Sequence, residues 1–247
     1  MTRRARDSGL TLIELLIAVT LVSLISAGLL TAMRVGLSAM NKVNSHLLAN
    51  RKAIGAERIL EQQIAGFMPV MATCMAMQNR TAGDIKFFQG EPQSMRFVST
   101  YSIQEASRGG PQILEFQVIP GENGVGVRLV VNEFPYTGPL AAGFTCLGVM
   151  PDPAVNMNVP RFRPIAIGPS SFVLADKLAA CQFLYRQKPD PPRPERWLPR
   201  WLIQSEWPSA IRVEMLPLNP DPSHLQLLPV TVPVRATKDP LYAYTEF

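Results

Sequence analysis

Histidine is scarce in this 247-residue chain, and neither His46 nor His224 stands with a cysteine or serine in a recognisable nucleophile arrangement. The three cysteines, Cys74, Cys146 and Cys181, include no Cys-x-x-Cys pair, which removes the usual zinc spacings. No carboxylate cluster suggests calcium, and Asp221 with His224 reads as a pair of turn residues. A pI of about 9.3 hints at nucleic acid, but no run of Lys or Arg with interleaved aromatics follows residue 9. The sequence therefore gives no reason to propose catalysis, a cofactor, a metal or a nucleic-acid partner.

Two further absences are local. The chain has 23 prolines, yet none falls between residues 10 and 68. Between Leu10 and Met33 there is no charge except Glu14. An apolar run of that length spans about 36 Å as a helix, enough to cross a hydrocarbon core and too long for a signal-peptide core. No small-residue cleavage pattern follows it. Arg3, Arg4 and Arg6 precede it, so the positive-inside rule keeps the amino terminus cytoplasmic. A plain signal anchor explains all of this except Glu14 and the Gly9-Leu10 junction. A carboxylate in a membrane helix costs about 2.5–3.5 kcal/mol at mid-bilayer, so Glu14 should have a partner.

The string Gly9-Leu10-Thr11-Leu12-Ile13-Glu14-Leu15-Leu16 resembles the type IV prepilin motif of pilins and type II secretion pseudopilins. The resemblance implies a membrane peptidase that cuts between Gly9 and Leu10 and methylates the new amine on Leu10. Leu10 and Ser8 stand where the family usually has Phe and a Lys or Arg. The physics agrees with such processing. A neighbouring subunit's Glu14 can meet the cationic amine of Leu10 as both leave lipid, and an ion pair in a low dielectric is costly only while either partner is alone. Glu14 then acts as a register device for packed helices.

The helix continues past the membrane. Met40, Val43, Leu47, Ile54, Leu60, Ile64 and Phe67 recur at steps read as one helical face, and the helix is expected to end near Gly66 to Pro69. Four segments follow: a leader over 1–9, a transmembrane half over 10–33, an amphipathic half over 34–68 lying against a globular domain, and a β-rich globular domain over 69–247. Many pilins carry a proline within the membrane half. Its absence around Thr31 favours a straight helix and a pseudopilin.

Beyond Pro69 the period becomes two. Met95, Phe97 and Ser99 alternate with Arg96 and Val98. Residues 112–119 and 126–134 flank a Pro-Gly-Glu-Asn-Gly-Val-Gly hairpin signal. Cys181, Phe183 and Tyr185 share a face, as do Ile211, Val213 and Met215, and Val230, Val232 and Val234. Lys188 to Pro199, with five prolines, is expected to be an exposed loop, and residues 139–164 fit no pattern. The fold class is α+β, a pseudopilin fold with one long N-terminal helix packed against antiparallel sheets. Cys74 follows the helix end and Cys146 lies in a Gly/Thr loop, so Cys74–Cys146 is the preferred disulfide and Cys181 a buried thiol. Trp197, Trp201 and Trp207 read either as a partner surface or as a cover for the sheet edge or core.

Cys181-Gln-Phe-Leu-Tyr185, the three tryptophans, Trp207-Pro-Ser-Ala-Ile-Arg-Val213 and the helix from Ala56 to Ile64 carry a narrower resemblance, to the J-type minor pseudopilins of type II secretion. It implies a structural subunit at the tip of a periplasmic pseudopilus. The implied partners are I-like and K-like minor pseudopilins, the major pseudopilin, the prepilin peptidase and the inner-membrane assembly platform. The implied location is the inner membrane, single-pass, with a periplasmic head. Major type IV pilins usually close a C-terminal loop with a disulfide, and no cysteine follows Cys181. The alternatives are a minor pilin of a type IV pilus serving adhesion, motility or DNA uptake, and a membrane-anchored periplasmic enzyme.

Overall fold

The computed structural model describes residues 11–74, 83–105, 107–153, 156–189, 194–219 and 228–235. The elements, in chain order, are α1 (Leu12–Ala65), β1 (Phe67–Met68), β2 (Met71–Cys74), β3 (Gly83–Lys86), β4 (Gln89–Gly90), β5 (Ser94–Ser102), β6 (Ser107–Pro120), β7 (Val127–Pro135), α2 (Pro139–Gly143), β8 (Cys146–Asp152), β9 (Met157–Phe162), β10 (Phe172–Gln187), β11 (Arg196–Leu198), β12 (Ala210–Pro217) and β13 (Val230–Pro233). The layout is α+β: one long N-terminal helix, then antiparallel sheets. The chain divides into two compact units, Met1–Ala49 and Asn50–Phe247, so the last turns of α1 belong with the head.

Without an internal proline, α1 runs 54 residues, or about 81 Å at the helical rise. It stops where glycine is needed. Gly66 donates its N–H to the Gln62 carbonyl, and its own carbonyl accepts from Thr100 on β5. A Cβ at Gly66 would sit 2.6 Å from the Ser99 hydroxyl oxygen, so a side chain there would displace the Ser99 hydroxyl from the Gln63 carbonyl it bonds.

Among the described residues the main sheet has nine strands, in the order β1-β5-β6-β7-β10-β12-β13, with β4 also on β5 and β11 on β10. The period-two positions point as the alternation requires. Met95, Phe97, Leu114, Phe116, Leu129, Val131, Phe183, Tyr185, Ile211 and Val213 meet Leu60, Ile64 and Phe67 in one core. The opposite face is also covered over β5 and β6, where Val98 and Ile113 pack with Val70, Ala72, Ile85, Phe87 and Ala142. That cover comprises the small sheets β2–β3 and β8–β9 and the short helix α2, so the described residues among 139–164, unplaced by pattern, form part of a second layer. Cys74 on β2 and Cys146 on β8 are disulfide-bonded, 5.4 Å apart at Cα, and tie the two small sheets together. Gly143 lies so close to the Thr73 carbonyl that a Cβ there would overlap it.

Two expectations change. The proline-rich stretch is not simply an exposed loop: Arg196–Leu198 pairs with Tyr185–Gln187, and Leu198 packs against the main core, while residues 190–193 lie outside the described residues. The apolar positions of α1 do not make one face. Leu60 and Ile64 are fully buried, whereas Met40, Val43, Leu47 and Ile54 are 65, 57, 49 and 53% exposed. The reason is spacing. Steps of 3, 4 and 7 keep Met40 to Ile54 on one stripe, but the step of six from Ile54 to Leu60 turns about 120° around the helix. Ala56, Leu60 and Ile64 form a separate, head-facing stripe.

At the far edge, β13 pairs with β12 in the register Ala210↔Pro233 to Val213↔Val230. Val234 donates its N–H to the Ser209 carbonyl, so by alternation Pro229, Thr231 and Pro233 turn their backbone nitrogens away from β12.

Gln63 is fully buried at the helix–sheet contact, and its amide nitrogen and oxygen have no hydrogen-bond partner among the described residues. An unsatisfied buried amide costs about 1–3 kcal/mol. Gln63→Met, similar in volume, is therefore expected to raise stability by about 1 kcal/mol or more, seen as a higher midpoint in thermal denaturation. An unchanged or lower midpoint refutes this reading of Gln63.

Candidate functional site

The amino-terminal unit holds the first candidate. Gly9 and Leu10, the expected processing junction and methylation site, lie outside the described residues. From Thr11 onward the chain is built as a capped helix start. The Glu14 carboxylate accepts from the Thr11 N–H and hydroxyl, each at 3.3 Å, and the Thr11 hydroxyl accepts from the Glu14 N–H at 3.4 Å. This is a reciprocal capping box, and it satisfies donors that a helix start leaves open. Its signal was in the sequence as Thr-x-x-Glu, hidden because the same residues read first as a processing motif. Leu12, Ile13, Leu15, Leu16 and the apolar residues on to Met33 are exposed around the helix, and α1 is long and apolar enough to cross a membrane. Thr20, Ser23 and Thr31 return their hydroxyl donors to carbonyls of the preceding turn, Ile17, Val19 and Ala27. Glu14 is thus the one formal charge among the described residues of that apolar run, held by its own helix cap.

In the head, the tryptophans do not form one partner surface. Trp201 and Trp207 lie in the main core, and Trp201 donates its indole N–H to the Glu206 carbonyl at 3.2 Å. Only Trp197 is half-exposed. It is carried by β11, and Arg212 of β12 sits 4.1 Å from its ring centroid, so the indole reaches across β10. The correction has a simple cause: the segment after Pro199 runs back over the sheet end, with Trp201 bridging to Gly90. Cys181 is free and buried on β10, and burial pushes its thiol pKa up to about 12, which keeps it an unreactive thiol at neutral pH.

The feature that sequence reading missed is a buried ion pair. Arg96 on β5 is 1% exposed and donates to Glu115 on β6 at 2.7 Å, to the Gln89 side-chain oxygen at 2.6 Å and to the Arg163 carbonyl at 3.1 Å. Phe162 lies under the guanidinium at 5.4 Å. Burial lowers the Arg96 pKa, and the charge and hydrogen bond of Glu115 oppose that shift. Beside it, Asn132 donates to the Ala166 carbonyl at 2.8 Å and accepts from the Ser171 hydroxyl at 2.6 Å. These groups pin the chain after β9 onto the sheet. They are structural in geometry, fully engaged and out of solvent.

A cleft of about 120 Å³ lies between β9 and residues 200–206, lined by Lys86, Glu91, Arg161, Arg200, Trp201 and Glu206 among others. Its charges are largely spent on one another. Arg200 grips Glu91 at 2.8 and 3.2 Å and reaches Asp152 at 3.5 Å, while Lys86 donates to the Ser205 carbonyl at 2.6 Å. Among the described residues no three His, Cys, Asp or Glu side chains gather as a metal site. His224 and Asp221 lie outside the described residues.

Residues 4–30 match a family model described as the prokaryotic N-terminal methylation motif. The match supports the type IV pilin-like family on the segment that contains Gly9, Leu10 and Glu14. No curated protein matches the chain.

Proposed function

From a methylation-motif segment, a membrane-length helix and an α+β head, we propose that this protein is a structural subunit of a helix-assembled fibre, a J-like minor pseudopilin of type II secretion. The observation that carries the proposal is Glu14: one carboxylate at the capped start of an apolar helix, four residues after Leu10, where processing would place a new amine. In this reading the basic leader holds the amino terminus in the cytoplasm, and the peptidase cuts between Gly9 and Leu10. The carboxylate of Glu14 then exchanges its Thr11 contacts for the amine of a neighbour. The exchange replaces contacts from uncharged donors by an ion pair with a cationic one, which favours one axial offset between helices. The head and its proline-rich connections sit at the tip with I-like and K-like partners, above the major pseudopilin, the whole rising from the inner membrane into the periplasm.

The amino terminus of the mature protein tests this. Mass spectrometry is expected to find a methylated Leu10 as the first residue, and Gly9→Ala to leave the leader attached, because the cut requires a residue without a side chain at that junction. An intact Met1 in the wild type, or cleavage well beyond residue 30, overturns the proposal. Secretion lost on deletion, with piliation and twitching intact, separates the pseudopilin from a type IV minor pilin.

A further inference from the structure

The cleft between β9 and residues 200–206 holds two charges that the head does not use up. Arg200 is engaged by Glu91 and Asp152, and Lys86 by the Ser205 carbonyl. Arg161 is different. Its side chain is half-exposed, and its ion pair with Asp152 is 3.9 Å long, beyond hydrogen-bond distance. On the facing wall the partly exposed Glu206 carboxylate has neither a hydrogen bond nor an ion pair among the described residues. One cleft is therefore lined by a cation and an anion, each short of partners and not paired with each other.

Both walls are set before anything binds. Trp201 donates its backbone N–H to the Gly90 carbonyl at 2.8 Å and its indole N–H to the Glu206 carbonyl at 3.2 Å. Gln204 donates to the Asn158 carbonyl at 2.5 Å. That last contact also excludes an added strand. The carbonyl on the cleft side of β9 is taken, and Pro160, two residues on and facing the same way, has no N–H to offer. A ligand has to be held by its end groups. The space, about 120 Å³, equals the liquid share of about four waters, so that ligand is small. Phe88, Phe162 and Trp201 give it an apolar lining.

We propose that this cleft binds a small zwitterion of the amino-acid class, its carboxylate on Arg161, its ammonium on Glu206 and an apolar side chain against Trp201. A guanidinium takes a carboxylate through two parallel hydrogen bonds, which fixes the orientation of the ligand. Selectivity comes from the pair of charges. A molecule that lacks either one leaves its counterpart in the cleft without a partner. A bound ligand ties the second layer, through β9, to the chain that leads into β12. The site belongs to the head alone and does not depend on the fibre reading.

Titration calorimetry on the full chain in detergent micelles tests the site with leucine, glycyl-leucine, N-acetyl-leucine and leucine amide. The first two carry both charges at different spans, and each of the others carries one. At least one zwitterion is expected to bind about tenfold or more tightly than both single-charge probes, the loss expected for one hydrogen bond to a charged group. Glu206→Gln should reduce that zwitterion to the affinity of N-acetyl-leucine, and Arg161→Gln to that of leucine amide. Neither side chain makes a hydrogen bond within the head, so both variants should melt near the wild-type temperature without ligand. Equal binding of all four probes overturns the proposal, as does a preference that survives both substitutions. So does the absence of binding by either zwitterion at about 10 mM, the weak limit of a specific site.

Discussion

Replacing Arg96 by methionine is expected to cost the head about 3–5 kcal/mol, because it leaves the Glu115 carboxylate buried with its main partner gone. Arg96 is 1% exposed and joins Glu115, Gln89 and the Arg163 carbonyl, so the loss spreads beyond one pair. Phe162 ends β9 and Arg163 follows it, so the end of β9 and the segment after it should loosen first. Chemical denaturation followed by tryptophan fluorescence reads the change, since Trp201 and Trp207 sit in the main core. The double variant Arg96→Met with Glu115→Leu should recover part of the loss, because no charge is then stranded. Recovery stays incomplete because Gln89 and the Arg163 carbonyl keep no substitute partner. A single-variant loss below about 1 kcal/mol would place the pair among those that contribute little.

Removing the Cys74–Cys146 bond has a comparable effect by another route. The bond closes a separation of 72 residues, and cross-linking a loop of that length restricts the unfolded chain by about 4 kcal/mol. Cys74→Ala with Cys146→Ala should lower the denaturation midpoint accordingly, alanine being chosen so that no hydroxyl is buried at sites 3 and 5% exposed. The native-state consequence should be local. Hydrogen exchange is expected to rise in β8 and β9, whose outer layer the bond ties to β2, more than in β10 and β12. Uniform loss of protection across both layers would show that the second layer is not separately held.

Which parts of this architecture could be read from the chain follows from how far each signal extends. The first half of α1 rests on one long apolar run, and the central strands rest on clean alternation, as in Phe183, Tyr185, Ile211 and Val213. Both are local and periodic, so they survive in one dimension. The second layer does not. Strands β2, β3, β8 and β9 have four to seven residues each, broken by Gly148, Pro151 and Pro160, and only their pairing gives them a core. Arg96 illustrates the same limit from the other side. Its place opposite Phe97 suggests a solvent face, but the cover over β5 turns that face into an interior. On α1 the error was one of phase. Ile54 and Leu60 are both apolar and close in sequence, yet a step of six divides them between two surfaces. At the amino terminus, Glu14 was legible as an oddity and Thr11 was not legible as its cap. The two tryptophans of the core were ambiguous because composition alone cannot separate an anchor from a plug.

The last strand of the sheet has one more consequence. Of the three nitrogens that β13 and its flank turn outward, those of Pro229 and Pro233 carry no hydrogen, leaving Thr231 as the single donor on that side of the strand. Another chain that tried to lengthen the sheet there would find two of the three outward donors missing. An open sheet edge would let neighbouring copies of the head zip together. Along its described residues, that edge therefore offers little to an incoming strand.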